Sequence, residues 1–136
     1  MPALRHTFRK DDRVYLRDDL EVLFTSKESF ISYPFRVVLH RKGGEKQTEP
    51  GVKVLVSVPK RKLKRAVERN LMKRRFREVY RREKGALQQL VATREETLLV
   101  GFIYLSDKVL PYSAVERSVV KALSKIVEQY EEERHE

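Results

Sequence analysis

The chain has 136 residues, 40% hydrophobic and 37% charged, with 30 Lys and Arg against 20 Asp and Glu, no cysteine and a net charge of +10. That length suits a single domain, residues 1–136, with enough apolar and aromatic material for a real core. A disordered basic tail, a disulfide framework and a thiolate metal site are excluded. No apolar run approaches the roughly 18–20 residues of a membrane span, and the N-terminal MPALRHTFRKDDR has no signal-like apolar core. The expectation is a soluble, cytoplasmic monomer that needs no membrane and no protein partner.

In chain order, Asp18 or Asp19 caps a short helix through Leu20, Val22, Leu23 and Phe24. Residues 30–40 (FISYPFRVVLH) read as one strand, with Pro34 marking an edge position or a bulge. Residues 41–51 form a glycine-containing loop. Val52–Val58 alternates like a half-buried strand and stops at Pro59. A helix then runs from about Arg65 to Lys84, with Gly85 as its C-cap. Residues 86–96 either extend a helix or form an irregular link. Thr97–Leu105 (TLLVGFIYL) has the continuous apolar character of a central strand covered on both faces. After Pro111, Ser113 and Glu116 have capping-box spacing and open a last helix. Its stripe of Val115, Val119, Leu123, Ile126 and Tyr130 faces the core, and Glu131, Glu132 and Glu133 face solvent. The order is helix, strand, strand, helix, strand, helix, with room for one more short strand. The class is α+β, one small sheet packed against helices.

Residues 60–84 hold the entire net charge: thirteen Lys and Arg against Glu68, Glu78 and Glu83. The remainder, with 17 basic and 17 acidic side chains, sums to zero. So concentrated a field calls for a polyanionic partner, nucleic acid above all. At about 100° per residue, Arg69, Asn70, Lys73, Arg74, Arg77 and Arg81 share an arc of roughly 140°. Met72, Phe76, Val79 and Tyr80 share a neighbouring arc that packs on the sheet, and Val67 and Leu71 lie on the other flank. Arginines on one ridge suit a row of phosphates, and Asn70 among them can read a base or a ribose. Glu78 is placed to pair with Arg74 and Arg82 at four residues. Lys60, Arg61, Lys62, Lys64 and Arg65 oppose the helix dipole, so a bound anion accounts for them better than folding does.

A nuclease acting by itself needs a carboxylate metal cage or a paired acid and base. His6, His40 and His135 are scattered, and capping explains Asp18 and Asp19, so no catalytic and no metal-binding residue is assigned.

The stretch VSVPKRKLKRAVERNLMKRRFREVYRREKG resembles the signature region of the protein subunit of bacterial ribonuclease P. There a strand leads through a Lys-rich turn into a helix with an Arg-Asn-x-x-Lys-Arg-x-x-Arg pattern, matched here by Arg69, Asn70, Lys73, Arg74 and Arg77. FRKDDRVYLRDDLEVLF, YPFRVVLH and TLLVGFIYLSDKVLPYSAVERSVVKALSKIV extend the similarity over most of the chain. Leu71, Lys64 and Leu20 depart from the family pattern, standing where members carry Arg, Gly and an aromatic.

The resemblance implies a ribosomal protein S5 domain 2-like α-β sandwich with a left-handed βαβ crossover, an exception to the usual hand. It implies a partner in the catalytic RNA of ribonuclease P, whose Mg²⁺ ions carry the chemistry, with no cofactor bound by the protein alone. The substrate is precursor tRNA, and the reaction is endonucleolytic removal of its 5′ leader. Lys60, Arg61, Lys62, Lys64, Arg65, Arg69, Asn70, Lys73, Arg74 and Arg77 then face the catalytic RNA. Phe8, Lys10, Arg13, Arg17, Leu20, Phe24 and Val37 form a groove for the single-stranded leader. The competing readings are a ribosomal or RNA-chaperone-type module with no leader dependence, a self-sufficient metal endonuclease, and a nonspecific DNA-compacting protein.

Overall fold

Four strands and three helices account for the residues described by the computed structural model, 28–42, 51–94 and 96–134. They are β1 (Ser29–Ser32), β2 (Phe35–Lys42), β3 (Gly51–Ser57), α1 (Ala66–Glu83), α2 (Gly85–Thr93), β4 (Thr97–Tyr104) and α3 (Tyr112–Arg134). The sheet order is β1-β2-β4-β3, with β4 antiparallel to β2 and parallel to β3. The architecture is α+β, a mixed sheet with helices packed against it. The predicted helix around Leu20–Phe24 and most of the 41–51 loop lie outside the described residues.

Strand alternation divides the sheet into two faces. Phe35, Val37 and Leu39 of β2, Val52 and Val54 of β3, and Leu98, Val100, Phe102 and Tyr104 of β4 point toward the helices and form the main core. Met72, Phe76, Val79 and Tyr80 of α1 close it, as their arc predicts. Val115, Val119, Leu123, Ile126 and Tyr130 of α3 are likewise all buried. Phe76 lies at the centre, its ring centroid 4.7 Å from Phe102, 5.8 Å from Phe35 and 5.9 Å from Tyr80. The far face carries a smaller cluster, Val38 and Leu99 with Leu55 and Ile103. Arg36, His40 and Lys53 share that face by register.

Three sequence expectations need correction, and one open segment is resolved. Residues 30–40 are two antiparallel strands joined at Tyr33–Pro34, a cis peptide, with Ser32 opposite Phe35. The proline therefore makes a turn rather than a bulge, and the run supplies the extra short strand. Gly85 is no C-cap: the chain passes from α1 to α2 through Lys84 at φ −69°, ψ −19°, still right-handed helical, so no left-handed residue is required. The ambiguous 86–96 segment is mostly α2. Finally, α3 starts at Tyr112, with the Val115 amide bonded to the Pro111 carbonyl, which puts Ser113 inside the first turn.

Side-chain hydrogen bonds help to hold the helices in place. Ser32 Oγ donates to the Ser118 carbonyl at 2.8 Å and Ser118 Oγ returns a bond to the Ser32 carbonyl at 2.5 Å, joining β1 to α3. Arg75 of α1 donates to the Leu110 carbonyl, fixing the β4–α3 connection.

Candidate nucleic-acid interface

The basic surface begins where β3 ends. Val58 and Leu63 are buried, and between them the chain turns tightly, with the Lys62 and Leu63 amides both bonded to the Pro59 carbonyl at 2.9 and 3.2 Å. Two apolar anchors thus hold up a short arch that presents Lys60 and Arg61 to solvent, with Lys62 half-buried. Lys64 and Arg65, also exposed, lead into α1.

Arg65 occupies the N-cap position and makes no side-chain capping bond. A guanidinium has no acceptor for the first-turn amides. Order comes from the next turn instead: Arg69 Nη1 donates to the carbonyls of Leu63 (2.9 Å) and Lys64 (2.7 Å). Glu68 in the first turn complements the dipole.

Along α1, Asn70 and Arg74 are exposed, and Arg69, Lys73 and Arg77 are half-buried. Helical periodicity turns Asn70 and Arg74 away from Met72, Phe76, Val79 and Tyr80, while Arg69, Lys73 and Arg77 border that buried arc, in keeping with their half-burial. The ridge and the Lys60–Arg65 arch are contiguous in the chain, so all ten predicted residues form one basic surface. Within it the roles differ. Arg69 spends its guanidinium on backbone carbonyls, while Asn70 and Arg74 extend outward.

The electrostatics refine the sequence reading in two places. Glu78 pairs with Arg81, at 2.5 Å, rather than with Arg74 or Arg82. The Arg81 hydrogen bond holds its carboxyl below the ordinary value, with the charges of Arg81 and Arg82 adding to the effect. Lys84, counted in the basic segment, is buried and does not contribute to the exposed field.

The leader-groove candidates fare differently. Phe8, Lys10, Arg13, Arg17, Leu20 and Phe24 lie outside the described residues. Val37 is fully buried in the main core beneath the helices, so it lines no groove on the far face, where its neighbour Val38 is buried too. Adjacent apolar residues at 37 and 38 obscured the alternation that would have separated them. Sequence reasoning also missed Arg75, whose bond to Leu110 is a contact between residues 35 apart that no local pattern announces. Among the described residues no three His, Asp or Glu side chains come together as metal donors, and no helix is long and apolar enough to cross a membrane.

A helix buried on one side in an α-β sandwich, with an arginine, lysine and asparagine ridge on the other, defines an RNA-binding protein. The family model for ribonuclease P matches residues 8–127. The chain is also 38% identical over 117 residues to the ribonuclease P protein component of Porphyromonas gingivalis, covering 86% of this chain and 84% of that one. It belongs to the ribonuclease P protein family and is thus a subunit of the ribonuclease P endoribonuclease, working with the ribonuclease P RNA. The Thermotoga maritima protein component is 36% identical over 84 residues, 62% of this chain and 67% of that one. In three dimensions the fold is similar to the Staphylococcus aureus RNase P protein, with a TM-score of 0.62 at 20% identity over 85% of this chain and 94% of that one. Similarity to the Thermotoga maritima RNase P protein is equal in TM-score, 0.62, at 22% identity over 83% and 96% of the two chains.

Proposed function

We propose that this subunit assists the ribonuclease P RNA in removing the 5′ leader from precursor tRNA in the cytoplasm. The arch Lys60–Arg65 and the ridge Arg69, Asn70, Lys73, Arg74 and Arg77 lie against the catalytic RNA, and the far face of the sheet takes the single-stranded leader. The observation that carries this reading is the polarity of α1, fully buried on Phe76 and Tyr80 and outwardly basic at Arg74. Such a ridge neutralises phosphates on contact and releases counterions.

Mg²⁺ held by the RNA would activate a bound water as nucleophile and stabilise the charge that develops in phosphodiester cleavage. The protein's side chains bind and orient. The arginine forks of the ridge reduce repulsion between RNA segments, and Asn70, with both donor and acceptor, adds discrimination that a point charge lacks.

Precursor tRNA cleavage at low Mg²⁺, with the RNA alone, the protein alone and the two together, tests this. Activity only in the mixture is expected. Cleavage by the protein alone, or no stimulation with a matched RNA, sinks the proposal.

A further inference from the structure

Arg117, Lys121 and Lys125 follow one another at four-residue steps on α3, all exposed. They lie about 6 Å apart along the axis. Outside residues 60–84 the chain is electrically balanced, so this row is a local excess. Lys125 sits over the Phe30 ring, 4.5 Å from its centroid. The side chains of Arg117 and Lys121 make no hydrogen bond or ion pair among the described residues. Both line a groove of about 530 Å³ between α3 and the β1–β2 turn, with Tyr33 across from them and Ile31 at the rim. Tyr33 is 65% exposed and Ile31 62%. The Ser32–Ser118 hydrogen-bonded pair makes the groove's base rigid. Glu128, one turn past Lys125, borders a different groove with Glu83, so the row ends at Lys125.

A merely solvated cationic face has no use for an exposed tyrosine and isoleucine facing it. Aromatic rings beside unpaired cations are what an unpaired nucleotide needs: a surface for the base and charges for the flanking phosphates. A duplex cannot use the site, because its base faces are stacked on one another.

We propose that this groove binds an unpaired stretch of RNA, with a base stacked on Tyr33 beside Ile31 and phosphates on Arg117 and Lys121. Ile31 stands opposite Arg36 in register, and their side chains point to the far face of the sheet, so the groove continues from that face around the β1 edge. This continuity favours the distal end of a 5′ leader as the occupant, and that assignment rests on the function proposed above.

Two measurements on the full-length protein test it. The first is binding of a labelled oligouridylate to the protein alone. Tyr33→Ala lowers affinity roughly 5- to 160-fold, the range of base–aromatic stacking, and Tyr33→Phe retains it. Arg117→Ala with Lys121→Ala lowers the salt slope by about 1.4 for two lost phosphates. The second is holoenzyme affinity for precursors with leaders of roughly 12 and roughly 3 nucleotides, lengths bracketing single-strand site sizes. The variants weaken binding of the long leader alone and leave affinity for the catalytic RNA unchanged. Wild-type oligouridylate binding in all variants overturns the site. Weakened binding of the catalytic RNA instead overturns the leader as occupant. If the oligouridylate losses appear while the wild-type protein fails to stimulate precursor cleavage, the groove stands and the processing role falls.

Discussion

The Arg69 guanidinium donates a 2.7 Å hydrogen bond to the carbonyl oxygen of Lys64. A basic residue of the α1 ridge therefore organises the basic arch that precedes it, reaching Leu63 with the same nitrogen. Charge and architecture are joined in one side chain, whereas exposed Arg74 contributes charge alone.

Arg69→Ala is expected to lower stability by roughly 1–2 kcal/mol for two half-exposed charged hydrogen bonds, and to loosen Lys60–Lys64. Arg74→Ala leaves the melting temperature unchanged and lowers the slope of log affinity against log salt by about 0.7–0.9, one phosphate's worth. Thermal melts and RNA titrations at several salt concentrations separate the two. Identical behaviour of both variants removes the distinction.

Phe76→Ala empties the centre of the aromatic cluster formed with Phe35, Phe102 and Tyr80. The expected cost is about 3–5 kcal/mol, as for other large-to-small changes in a tight core. Because α1 is seated by this residue, RNA affinity falls with stability although no charge is altered. A variant that keeps its chemical-denaturation midpoint argues against Phe76 as the anchor.

Much of this fold was legible because its periodicities are clean. The ridge and the buried arc of α1 separate at 100° per residue, the α3 stripe repeats without interruption, and the unbroken apolar run of β4 marks a strand covered on both faces. Legibility fails where apolar residues crowd together or contacts are remote. In FISYPFRVV both strand faces are apolar, which conceals the turn at Pro34 and the opposite directions of Val37 and Val38. Glu78 had five arginines within four residues, and spacing alone did not choose Arg81. The double role of Arg69 depends on how the chain bends before the helix, which composition does not encode.

Glu78 sits on the edge of the positive surface with its carboxyl held below the ordinary value by Arg81. Glu78→Gln removes one negative charge and releases that arginine, so RNA affinity at neutral pH rises, roughly two- to fivefold at low salt. The sign with pH follows from the lowered value. The ion pair persists at and above the usual carboxylate range and fails as pH falls through the depressed one. The advantage of the variant therefore shrinks in acid, where the wild-type carboxyl loses its charge. Affinities that differ equally at neutral and acidic pH contradict this account.

Tyr104 is fully buried, and its hydroxyl donates to the Lys108 carbonyl at 2.5 Å. Burial pushes the phenol above its ordinary value of 10.0. A raised value means that the contribution is complete below that pH and is lost as pH rises through the folded-state value, because the unfolded chain releases its proton first. Denaturant unfolding across the alkaline range should show a steeper loss of stability for the wild type than for Tyr104→Phe. Parallel curves would assign the alkaline loss to other groups.

Between β3 and β4 the backbone leaves the sheet, forms the arch, α1 and α2, and returns to lie hydrogen-bonded beside the strand it left. The basic insert is consequently moored at two adjacent strands of one ladder, and β4 is also paired with β2. Both ends of the basic insert thus meet in neighbouring strands, so whatever the ridge holds is tied to the sheet by two covalent roots that are themselves hydrogen-bonded to each other.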